Sequence, residues 1–160
     1  MHPRTRRLTS AALLLTLTAT PFSTSYAILD KTRFLLHLGA AYYAFHHWDL
    51  MPFRQGKFSA GAPGRTAAMV KGGLALAFAA HEVSVARKVA ANSASPTLMK
   101  LDGALNTLSA EMTTLGGTLK TGKVNPADEQ ALENGAGALS AQAAANGQVI
   151  RDVPTPIPGL

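Results

Sequence analysis

The residue types best suited to chemistry are the histidines that follow the N-terminal segment: His37, His46, His47 and His81. A neutral imidazole is a common ligand for zinc and copper. Successive residues of a helix point about 100° apart, so His46 and His47 do not reach one ion together. His46 and Asp49, three residues apart, share a helix face. Joined by His81 from a second helix, with Glu82 beside it, they make a candidate zinc or copper site. The plainer alternative puts His46 and His47 at a wet helix end and His81 in a hydrogen-bonded position lining the core. Haem held between His81 and Met69, Met99 or Met112 is a remoter arrangement, since methionines at helical spacing ordinarily fill a core. A di-metal carboxylate centre needs Glu-x-x-His motifs on paired helices, whereas residues 28–91 hold only Asp30, Asp49 and Glu82 as acids. With no cysteine in the chain there is no disulfide, no thiolate metal site and no covalent haem attachment. No cofactor is therefore expected, and zinc or copper at His46, Asp49 and His81 is the alternative.

Residues 52–65 form a second chemical neighbourhood. Phe53, Arg54, Lys57, Phe58 and Arg65 lie in or beside a glycine- and proline-rich loop before the second helix. Free N–H groups at a helix N-terminus favour an anion, and a cationic loop carrying aromatics suits a membrane surface or an acidic envelope polymer. A solvated loop is the simpler reading. Gly56-Lys57-Phe58-Ser59-Ala60-Gly61 is one residue too long before its serine for a nucleophile elbow. It also lacks the Lys-Ser/Thr pair of a phosphate-binding loop. No two catalytic groups are tied by a recognised spacing, so an enzyme is the least supported class.

The elements that would position these groups all read as helices. Leu98, Leu101, Leu105, Leu108, Met112, Leu115 and Leu119 recur at steps of three and four, a coiled-coil-like seam that a helix buries against another. Leu101, Leu105, Leu108, Met112 and Leu115 are the candidate interaction seam, either intramolecular core or a contact with a second copy or a partner helix. Helices are expected near 30–51, 64–91, 96–119 and 126–148. Asp30 serves as the first cap and Pro52 as that helix's stop, while Ser95-Pro96 and Asn125-Pro126 supply caps with proline at the first helical position. On the second helix Val70, Leu74, Phe78, His81 and Val85 share one face, and Met69, Leu76 and Val83 form another apolar edge. Gly116 and Gly117 should fray the end of the third. No strand pattern appears. The fold expected is all-α, either an up-down-up-down four-helix bundle or two packed helical hairpins, over residues 28–150. Residues 151–160, rich in proline, read as an extended, disordered tail.

The ends and the charge set the context. Arg4, Arg6 and Arg7, an apolar run over residues 8–17 and the small-x-small site Ser25-Tyr26-Ala27 have the form of a secretory signal peptide. The run is about half the roughly 20 apolar residues of a spanning helix, so cleavage near Ala27 and a secreted or periplasmic location are expected. Fifteen basic and nine acidic residues give a formal charge of +6, and loss of the three leader arginines leaves twelve against nine, or +3. Residues 28–91 carry eight basic and three acidic residues, residues 92–160 four and six. The simplest meaning is that the two halves attract each other. Nucleic acid is not an expected partner, for want of a dense basic cluster. The functional expectation is an exported, non-enzymatic helical module of structural or interaction type, with a small-ligand or metal binder and a peripheral membrane or envelope-polymer binder as alternatives.

Overall fold

In a computed structural model, residues 23–160 are described, and all their regular elements are helices, with no strand. The charged and apolar N-terminal pattern of residues 1–22 lies outside them. The Ser25-Tyr26-Ala27 site falls within the first helix, α1, Ser23–Phe45. This helix begins seven residues before Asp30 and does not use it as a cap. Nor does Pro52 stop it. α1 passes directly into a π turn, His46–Leu50, and then into α2, Met51–Arg54. A proline inside a helix has no N–H to give, and its ring collides with the carbonyl four residues back, here that of Trp48. Widening the preceding turn accommodates it: Met51 N–H reaches back five residues to His46 O.

α3, Arg65–Asn92, is the central helix. By length and composition it is the one described helix able to cross a bilayer; in this fold it lies between α1 and the later helices. Its buried face is Met69, Gly72, Gly73, Leu76, Ala79, Ala80 and Val83. The stripe led by Val70 and His81 is not the buried one, since both are exposed. Small residues win that face because two helices approach it closely. A Cβ on Gly73 would stand 2.9 Å from Gly116 O, and one on Gly116 would stand 3.1 Å from Gly73 O. Gly116 is therefore a crossing point, and its helix continues past it rather than fraying there.

The leucine-rich stretch is split into α4, Pro96–Met99, and α5, Asp102–Lys120. The break at Lys100–Leu101 leaves the seam intact. Leu98, Leu101, Leu105, Leu108, Met112, Leu115 and Leu119 are all buried within the chain, each side chain contributing on the order of 1.5–3 kcal/mol of apolar burial. α6, Pro126–Ala145, starts at Asn125, whose side chain accepts from Ala127 N–H at 3.1 Å. Leu132, Ala136, Leu139 and Ala143 form its buried stripe.

Cross-contacts give the direction of each neighbour. His37 meets Glu82 and Lys71 meets Trp48, so α1 and α3 run antiparallel. Arg87 binds Asp102, and Ser109 Oγ donates to Ala80 O, so α3 and α5 do the same. On the far side Tyr42 of α1 donates to Ala136 O of α6 at 2.5 Å.

Residues 151–160, expected to be extended and unpacked, are extended but docked. Ile157 is buried, Val153 N–H donates to Gly39 O at 2.9 Å, and the segment lies so close to α1 that a Cβ on Gly39 would clash with Arg151 O. The three prolines keep this segment out of any helix. Its isoleucine and valine still bury against one.

Candidate functional site

A cavity of about 670 Å³ lies between the end of α1 with its π turn, α6, and the chain that follows α6. Its middle is apolar: Leu50 and Met51 on one wall, Ala136 and Ile150 on the other. Two side-chain pairs span it. His46 Nδ1 contacts both carboxylate oxygens of Asp152, at 3.0 and 2.9 Å, leaving Nε2 for a ligand or solvent. Arg54 pairs with Glu133. Tyr42 lies in the same wall, and burial, reinforced by the Asp152 carboxylate, holds its phenol neutral far above the ordinary value. The cleft thus has an apolar body, a hydrogen-bonding phenol, and exchangeable cation and anion partners. Ser140 also lines it, on α6.

Next to this cleft in the sequence, but sealed from solvent, sit Asp49 and Glu129, both fully buried. No N–H or hydroxyl group of the described chain reaches any of their four oxygens. They are within hydrogen-bonding reach of each other. Two carboxylates cannot both be ionised there without severe repulsion, so the pair holds a proton. Burial pushes Asp49 up to about 9, with the Glu129 carboxylate adding to the shift. Burial pushes Glu129 up to about 7, against the lowering effect of its hydrogen bond from Asp49. The protonated acid is the donor and the other carboxylate the acceptor.

The proposed metal trio is not brought together. The π turn packs more residues into one turn than an α-helix does, so positions three apart no longer share a face. His46 faces Asp152 across the cleft, Asp49 is buried against Glu129, and His81 is exposed on α3. Among the described residues no group of three His, Asp or Glu side chains is arranged to hold a metal ion. The haem arrangement fails for a related reason: Met69 and Met112 are buried, whereas His81 and Met99 face solvent.

The loop is also spoken for. Phe58 is 3% exposed and meets Phe53 at 6.4 Å between ring centres. Arg65 donates to Phe58 O and Gly122 O, and Arg54, though exposed, is on Glu133, which leaves Lys57 as the cation of the set without a side-chain partner among the described residues. The interaction seam, Leu101, Leu105, Leu108, Met112 and Leu115, is core.

Sequence reasoning singled out His46 and Arg54 but missed Tyr42, Glu129, Glu133 and Asp152. Glu129 lies in the first turn of α6, where a carboxylate ordinarily serves the helix dipole, and Asp152 lies in the proline-rich segment expected to be unpacked. One signal did point to them, the imbalance between a basic first half and an acidic second half. His46–Asp152, Arg54–Glu133 and Arg87–Asp102 all join the two halves. Comparison with protein-family models, with curated proteins and with solved structures gives no match.

Proposed function

We propose that the chain is an exported, non-enzymatic helical binding module whose working surface is the cleft between α1 and α6. The observation that carries this reading is the cleft itself: about 670 Å³, apolar in the middle and bounded by His46–Asp152 and Arg54–Glu133. Pockets of roughly 300–1,000 Å³ with mostly apolar walls and a few polar groups are the usual form of small-molecule sites. The ligand class that fits is a small organic molecule with an apolar body and an anionic or zwitterionic end. Arg54 takes the negative group, and Nε2 of His46, Tyr42 or Ser140 hydrogen-bonds beside it. In this reading the four long helices close as an up-down-up-down bundle, with α6 returning against α1 through Tyr42 and Ala136. The N-terminal segment acts as a leader cleaved near Ala27. Self-association through the leucine seam is not part of the proposal, because that seam is consumed by the fold.

Native mass spectrometry of the protein purified from an envelope or culture-fluid fraction tests the reading. A retained small molecule, lost in both His46→Ala and Arg54→Ala while their helical content is unchanged, is the expected result. A bare mass, together with no thermal stabilisation by any of a panel of amphipathic carboxylates and amino acids, would overturn it.

A further inference from the structure

The segment after α6 departs most from a solvated tail. Gly39 marks where it crosses α1. A side chain there would clash with Arg151 O and with Val153 Cγ2, so the crossing exists only because position 39 has no Cβ. Val153 N–H donates to Gly39 O at 2.9 Å. Beyond it, Pro154, Pro156 and Ile157 lie along Tyr43 and Trp48, and Gly159 approaches Leu74 of α3. Aromatic side chains beside an extended, proline-spaced segment are the usual means by which proteins bind polyproline-type peptides, whose preset backbone loses little entropy on docking.

We propose that this face of α1 is a binding groove for an extended, proline-containing segment. Residues 148–160 of the same chain fill it, and the segment exchanges between two copies of the chain. Its attachment has the character of a bound peptide rather than of a core element. Among the described residues, Val153 N–H to Gly39 O is the one backbone bond tying residues 149–160 to a helix. The remaining hold is side-chain contact: Ile150 and Ile157 buried, and Asp152 on His46. A hollow of about 370 Å³ remains beside Tyr43 and Trp48, so the segment is not closely fitted there. Gly147, at φ +73°, sits where the segment leaves α6 and supplies a hinge. Fully extended at about 3.1 Å per residue, the segment reaches roughly 40 Å from that hinge. That length suffices to cross to a second copy. Every contact made within one copy is reproduced between two, and the difference is one of effective concentration alone. The partner is a second copy because its segment is the one sequence already fitted to this groove.

The test uses the full chain. Ile157→Asp disables a copy's own segment and leaves its groove intact. This variant should bind a fluorescent peptide of residues 148–160 at least about tenfold more tightly than the unaltered chain, whose groove is filled at high effective concentration. Adding Gly39→Ala should abolish that binding. Alanine favours the helix over glycine, so the loss would not reflect a weakened α1. Unaltered and Ile157→Asp chains, mixed, should yield a 1:1 dimer in native mass spectrometry whose share grows with concentration and vanishes with Gly39→Ala on the receiving copy. No peptide binding by an Ile157→Asp chain of unchanged circular dichroism overturns the groove. Peptide binding with no mixed dimer at high concentration overturns exchange between copies. Should Ile157→Asp unfold, hydrogen exchange of the unaltered chain decides: residues 149–160 must open together and well before α1, and protection equal to that of α1 overturns the proposal.

Discussion

Asp49 and Glu129 are the residues whose chemistry departs most from that of a plain helical core. A carboxyl pair without other donors is tolerable in a dry site only while it keeps a proton, and that ties folding to pH. Both groups have folded-state values above those of an unfolded chain, near 9 and near 7. The unfolded state therefore gives up its protons first. The stabilising contribution is fully present below about pH 4, the unfolded carboxyl range, and is lost as pH rises through 7 and then 9. The melting temperature should fall as pH rises from about 4 to about 9, by an amount corresponding to a few kcal/mol or more in all. Asp49→Asn keeps a donor toward Glu129 and removes the group with the highest value, so its melting temperature should be nearly flat above pH 8. Thermal denaturation in a series of buffers checks both expectations. An unaltered chain as stable at pH 9 as at pH 5 would count against a shared proton. At the same scale, Tyr42→Phe removes the hydrogen bond to Ala136 O and should cost about 1 kcal/mol in urea denaturation.

At the scale of elements, small residues and turn chemistry decide where helices meet. The crossing of α3 and α5 rests on Gly73 and Gly116, each facing the other's backbone. Neither helix can retreat without exposing the leucines beside the contact. Gly116→Val should therefore destabilise by about 3 kcal/mol or more despite valine's apolar character. Gly117→Ala, next to it and in open space, should stabilise by up to about 1 kcal/mol. Comparing the two in urea separates helix propensity from helix contact. This contrast also shows what the sequence could and could not reveal. The heptad steps from Leu98 to Leu119 and the Asn125-Pro126 cap are local patterns, and both carry over directly into the structure. Which face of α3 is buried is not local. Val70 and His81 look like a core stripe until the glycines and alanines beside them are seen to admit two helices. The π turn at Pro52 is likewise invisible to periodicity, and it is what separates His46 from Asp49.

For the whole molecule, the question is whether the chain unfolds as one unit. A single cluster of buried side chains runs through α1, α3, α5 and α6 and includes Ile150 and Ile157 at its margin. The central helices share many apolar contacts and should unfold together. The segment after α6 is tied by far fewer, and elements with little burial open at lower free energy than the core they lie on. The sequence contained the residues for this arrangement, Pro154, Pro156, Ile157 and the lone Trp48. It did not show that they meet, because a polyproline-like run carries no periodicity from which a docking face can be read. Trp48 now serves as a reporter, since it lines the hollow beneath that segment whereas far-ultraviolet circular dichroism follows the helices. In a urea titration the Trp48 emission should shift at a lower concentration than the helical signal. Gly39→Ala, which expels the segment, should remove the early step and leave the later one within about 1 kcal/mol of its original stability. Coincident transitions in the unaltered chain would mean that residues 148–160 are part of the cooperative core, and the boundary of the fold would then extend to Leu160.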